Sequence, residues 1–174
     1  MPNKKEERSS ISELVSELID ILKKEASLFG AFLELLEMQQ EALVGNDVAK
    51  LSEVTEAQRR KIVESGVLAR KRESLLRKIS VEGHVMEDLT LSRLINIVSS
   101  GSANILEHWR DAIVDLNAKI SRVRSQNELL IKRSRENIMK TMELLGRFKI
   151  PSSNYQDHGG LDSPGTNLAL DRRA

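Results

Sequence analysis

His84, His108 and His158 are the residues of this 174-residue chain best suited to metal ligation or proton transfer. None follows a glutamate by three positions, so the Glu-x-x-His pair of di-iron bundles is missing. Cysteine is absent, which removes disulfides, thiolate zinc clusters and thiol nucleophiles together. No Gly-x-x-x-x-Gly-Lys cradle and no Gly-x-Ser-x-Gly elbow occurs. The carboxylates fall mainly on charged helical faces. These residues therefore predict no metal, no cofactor and no enzyme. Basic clusters stand at Arg59-Arg60-Lys61, at Arg70-Lys71-Arg72 and at Lys132-Arg133 with Arg135. They alternate with apolar positions and acids, lack an aromatic platform for bases, and sit in a chain of formal charge +1, which argues against nucleic-acid binding.

What remains is binding by helices. The three prolines are Pro2, Pro151 and Pro164, so nothing from Asn3 to Ile150 breaks a helix in the way proline does. Val15, Leu22, Phe29, Leu36 and Leu43 recur every seven residues, with Ile11, Leu18 and Phe32 beside them, and predict a long amphipathic helix over 10–44. Ser9, Ser10 or Ser12 is expected to cap it. Gly45 is expected to end it in a left-handed conformation, and Asp47 to cap the next helix. That second helix, over 48–79, presents Leu51, Val54, Ile62, Leu68, Leu75, Leu76 and Ile79 inward. A turn this short forces the pair antiparallel. Glu25, Gln39, Gln58, Ser65 and Arg72 place polar groups in the seam. Counting from the turn sets Glu25 opposite residue 67, with Arg72 about five residues, or about 7 Å, beyond direct opposition, so the count does not call for a Glu25–Arg72 salt bridge.

A short helix starting near Thr90 interrupts the weaker pattern of 80–102. The last helix spans about 103–148, with Trp109, Leu116, Val123 and Leu130 in one heptad series and Leu106, Ile113 and Ile120 in another, which Asn127, Ser134 and Thr141 continue as polar residues. Over 129–148 the apolar residues cover an arc of about 280°, more than one packing face buries. A further helix or a partner must cover the rest, and exposed Met and Phe suit an adaptable surface. Charge is segregated as well: 1–47 holds ten acidic against five basic residues, and 119–149 nine basic against three acidic. This predicts that the acidic and basic helices lie together or steer a partner.

Three stretches, in this order and spacing, resemble the FlgN-type flagellar export chaperones over about residues 12–160. They are Glu25 to Leu43 (Glu-x-x-x-Phe-x-x-Phe-Leu-x-Leu-Leu-x-x-Gln-Gln-x-x-Leu), Glu64 to Ile79 ending Arg-x-x-Leu-Leu-x-x-Ile, and Asn127-Glu-Leu-Leu-Ile-x-x-Ser with Asn154-Tyr155-x-x-x-Gly159 beyond it. Gln156 follows Tyr155 where the family often has an acid, which here comes at Asp157. The resemblance implies a non-enzymatic chaperone of the hook-associated proteins FlgK and FlgL. It would hold their terminal segments and deliver them to the export apparatus, with Tyr155 docking on the gate protein FlhA.

The expected fold is all-α: an elongated antiparallel hairpin packed with a long third helix as a coiled-coil-like three-helix bundle. Residues 1–9 form a flexible N-terminus, 10–148 the helical domain and 149–174 a flexible tail. The expected cargo-binding residues are Leu130, Ile131, Ile138, Met139, Met142, Leu145 and Phe148. With no run of 18 apolar residues, a cytoplasmic protein without membrane insertion is expected. The competing expectation is a homodimeric coiled-coil adaptor, in which the same apolar surplus pairs two copies.

Overall fold

The computed structural model describes residues 4–85 and 89–147, with side chains from residue 9 onward. Four helices and no strand occur among them: α1 (Lys4–Gly45), α2 (Val48–Glu82), α3 (Leu91–Ile97) and α4 (Ser100–Arg147). The all-α class and the order of long helix, long helix, short helix and long helix are as the periodicity dictates. The chain divides into two compact units, Met1–Asn137 and Ile138–Ala174.

α1 starts earlier than its apolar pattern, at Lys4. Ser9, Ser10 and Ser12 are therefore inside the helix and cap nothing. The Ser10 hydroxyl bonds across helices instead, its Oγ donating to Glu82 Oε2 at 2.6 Å and tying α1 to the end of α2. At the turn the roles of Gly45 and Asn46 are exchanged relative to expectation. Gly45 closes the helix, and Asn46 takes the left-handed φ of 51°. Asn46 N–H donates to Leu43 O and Asp47 N–H to Ala42 O, which satisfies two of the last carbonyls of α1. Asparagine tolerates this conformation because its short amide bonds locally. Asp47 caps α2 as expected, its Oδ1 accepting from Lys50 N–H at 2.9 Å.

α2 ends by the same device. His84 takes φ 51°, and His84 and Val85 N–H donate to Val81 O and Ser80 O. Gly83, just before it, is required for space rather than for φ: a Cβ there would stand 2.9 Å from Ile79 O. Thr90 caps α3, its Oγ1 accepting from Arg93 N–H.

One apolar core joins the first half of α1, the second half of α2, α3 and the start of α4. Leu18, Leu22, Leu94 and Leu106 are its fully buried centre, and Trp109 and Phe29 pack on its margin. Two polar layers follow along the seam. In the first, Arg72 Nη1 donates to Glu25 Oε2 at 2.6 Å, with the Glu25 side chain 2% exposed and that of Arg72 35% exposed. This corrects the register argument. Side chains lean toward the N-terminus of their own helix, so in an antiparallel pair Glu25 and Arg72 lean toward each other and span the offset between their Cα atoms. Burial raises the Glu25 pKa, against the opposing pull of the Arg72 charge and hydrogen bond.

The second layer is built of amides. Asn127 Nδ2 donates to Leu36 O at 2.8 Å and to Gln39 Oε1 at 3.0 Å. Gln39 Nε2 donates to Gln58 Oε1, and Gln58 Nε2 to Leu35 O. Three helices are joined in this way, and α4 runs beside α1 in the same direction. The acidic and basic helices do lie together, yet the polar contacts described between them are neutral amides, Gln40 to Gln126 included. Between the two layers the packing is open. Ile62, expected on the inner face of α2, is 60% exposed and lines an open cleft with Phe29, Phe32 and Ile120.

Two outcomes follow from the caps and the seam. Replacing His84 with glycine relieves a left-handed L-residue, and His84→Gly should stabilise the fold by about 1 kcal/mol, more than Asn46→Gly does. Thermal unfolding of the two variants checks the order. For Glu25, a raised folded pKa means that the folded state binds the proton more tightly than the unfolded chain. Its contribution to stability is then fully present below the ordinary value of 4.5 and is lost as pH rises through the folded value. The unfolding free energy of the wild type relative to Glu25→Gln should fall across that window in urea titrations. A difference that grows with pH would reverse the assignment.

Candidate functional site

No described group of three or more His, Asp or Glu residues is placed to hold a metal ion. His84 closes α2 in a left-handed turn, and His108 meets the Trp109 ring edge-on at 5.1 Å. His158 lies outside the described residues. No described helix is long and apolar enough to cross a membrane. The candidate site is therefore one of surface rather than of reactive groups.

In the second unit, the described residues are the end of α4. Ile138, Met142 and Leu145 follow one another at i, i+4 and i+7, so they form a stripe on one side of the helix, with Met139 beside it. These four are between 58 and 69% exposed. Leu144, about a third of the way round the helix from the stripe, is 53% exposed, so apolar surface covers more than half of the circumference of this segment. Lys140, Glu143 and Arg147 lie on the face opposite the stripe, and Arg147 pairs with Glu143 at 2.7 Å. An exposed i, i+4 pair of this kind contributes a few tenths of a kcal/mol, so it serves solubility more than rigidity.

In the first unit, the same helix exposes Leu129 and Ile131. Leu130, expected with the others, is half-buried and shares its surface with the fold. Phe148 and Tyr155 lie outside the described residues. Of the expected cargo-binding residues, Ile131, Ile138, Met139, Met142 and Leu145 are thus the exposed ones.

Such a surface presents apolar side chains rather than a cluster of reactive groups. Burying a large aliphatic side chain gains about 1.5–3 kcal/mol, so covering four of them offsets much of the cost of association. Methionine adapts its three torsions to different partners. A feature that sequence reasoning missed lies in the first unit, where Phe29, Phe32, Ile62 and Ile120 line an open cleft. The available signal was the heptad series carrying Phe29 together with Ser65 and Gly66, residues too small to fill that level.

Comparison with known proteins gives one family. The family model described as FlgN protein matches residues 14–163, most of the chain. No curated protein and no solved structure matches.

Proposed function

Because this chain belongs to the FlgN family, a family of flagellar export chaperones rather than of enzymes, we propose that its clients are the hook-associated proteins FlgK and FlgL, held in the cytoplasm before export. The observation that carries the reading is the exposed apolar stripe of Ile138, Met142 and Leu145, with Met139 beside it and Ile131 earlier on α4. Terminal segments that later pack as helices in an assembled filament present an apolar stripe of their own. A helix laid against α4 covers both stripes and keeps the client from assembling early. Phe148 continues the apolar run in sequence and belongs to the same proposed set, as does Leu130 through its accessible part.

Delivery needs a second contact that leaves the client in place. Tyr155, the chain's one tyrosine, is the proposed docking residue for the gate protein FlhA. An aromatic ring supplies a large contact area at small cost in rotamer entropy, which suits a short recognition segment. Release needs no nucleotide in this scheme, because an interface made of a few apolar side chains exchanges readily.

Two substitutions test the client surface. Met142→Asp and Leu145→Asp should each abolish co-purification with FlgK and FlgL while circular dichroism keeps its helical signal, since both positions are exposed. Unfolding of both variants would make these residues core and remove the reading. Full capture of FlgK and FlgL by both would remove it as well. A separate test isolates the tail: Tyr155→Ala should bind clients normally and lose binding of the loaded complex to FlhA in a pull-down. Undiminished FlhA binding would strike out the docking role.

A further inference from the structure

Two of the exposed apolar residues of the second unit are methionines, whose thioether a mild oxidant turns from apolar to polar. Met139 and Met142 are 61% and 69% exposed, so each sulfur is open to a small solute. They stand three residues apart on neighbouring lines of the helix surface, and with Ile138 and Leu145 they make up its exposed apolar side. Met38 is the other methionine among the residues whose side chains are described. It is less open, at 40%, and lines a groove with Leu35 and Ala57.

Oxidation by a peroxide is a balanced two-electron step. A lone pair on Sδ attacks one oxygen of hydrogen peroxide, the O–O bond breaks and an S–O bond forms. The proton on the transferred oxygen passes to the departing hydroxide, which leaves as water. Sulfur has then lost two electrons and the peroxide has gained them. The product places a hydrogen-bond acceptor where no side chain satisfies it. Residues three and four away from Met142 are Ile138, Met139, Leu145 and Gly146, none of which donates from its side chain. Glu143, four beyond Met139, is a carboxylate and only accepts.

In the free chain, water satisfies the sulfoxide. Under the apolar side chains of a helical client it would be buried without a donor, a loss worth about tenfold or more in affinity. Client and oxidant therefore oppose each other: a client over the stripe shields both sulfurs, and oxidised sulfurs disfavour the client. We propose that Met139 and Met142 are a reversible oxidation site through which a peroxide closes the client surface of the unloaded chaperone, while a bound client protects it. The inference rests on the client reading given for the end of α4 and adds a means of regulation to it.

The test uses the full-length chain, hydrogen peroxide, catalase to end the exposure before any client is added, and purified FlgK and FlgL. Peptide mass mapping should show Met139 and Met142 each gaining one oxygen faster than Met38 does. Client affinity should fall at least tenfold with the helical circular-dichroism signal retained, and should return after treatment with methionine sulfoxide reductases for both epimers. The double variant Met139→Leu with Met142→Leu, compared with its own untreated affinity, should lose less than twofold on the same exposure. Met38→Leu should be as sensitive as the wild type. Loading with FlgK before the peroxide should slow oxidation of Met139 and Met142. The proposal is overturned by undiminished client affinity of the oxidised wild type, by a double variant as sensitive as the wild type, by loss of helicity on oxidation, or by equal oxidation of the free and loaded chain. A chain that captures neither client before oxidant is added removes the client reading and this inference with it, a failure read at an earlier step than the others.

Discussion

The side-chain amide of Asn127, 2% exposed inside the seam, decides how α4 meets the hairpin. Apolar stripes tolerate sliding, because leucine packs about as well one turn along. An amide in low dielectric does not: in another register its N–H groups would lose Leu36 O and Gln39 Oε1, and each lost partner would cost about 1–3 kcal/mol. The Asn127 to Leu36 bond spans 91 residues, and the same offset brings Val15 level with Leu106, Leu22 with Ile113 and Phe29 with Ile120. Both heptad series therefore come into step through one polar residue. The arrangement is not free, since Asn127 Oδ1 is buried with no hydrogen-bond partner. Register is specified at some expense in stability, a known use of polar residues in helical seams.

The polar layers also explain where sequence reasoning reached and where it stopped. Asp47 and Thr90 were legible because a cap depends on three or four consecutive residues. The long helices were legible because proline is absent and the apolar period is sustained. Glu25 and Arg72 were not paired by counting from the turn, since that count compares Cα positions and ignores the lean of side chains toward each helix's N-terminus. Including the lean closes the gap, and it brings Gln39 to Gln58 by the same geometry. Ile62 was illegible for a different reason. Its period places it on the inner face of α2, but burial there depends on how closely a third helix approaches, which no local pattern records. The exchange of Gly45 and Asn46 at the turn was the converse case: the motif was readable, while the choice between two permissive neighbours was not.

The sequence called for uncovered apolar surface over 129–148 from the breadth of the apolar arc, and Ile138, Met139, Met142 and Leu145 are exposed. It did not separate Leu130, half-buried, from Ile131, exposed, because adjacent residues on a helix differ by only 100°. A family of export chaperones gives that breadth a purpose. An ordinary surface helix hides its apolar stripe against its own fold, whereas a helix that serves a client must keep apolar surface available and stay soluble while it waits. Ile138, Met142 and Leu145 stand on one face of the helix and Lys140, Glu143 and Arg147 on the other, an arrangement that keeps apolar side chains exposed while charge remains on the same segment.

The heptad series of α4 marks where this change in exposure begins. Leu106 and Ile113 are buried and Ile120 is half-buried; Asn127 is buried through its hydrogen bonds, Ser134 is half-buried, and Thr141 is exposed. Had the series stayed apolar, the helix would carry one continuous stripe from end to end, and every residue of it would compete for the same intramolecular partner. Ending the apolar series at Asn127 fixes the register with the last buried position. Ile131, Ile138 and Leu145, seven apart, then stand outside both heptad series together with Met139 and Met142, whereas Leu130 and Leu144 continue the series of Trp109. A single helix thereby buries apolar side chains along its first part and leaves Ile138, Met139, Met142 and Leu145 exposed along its last.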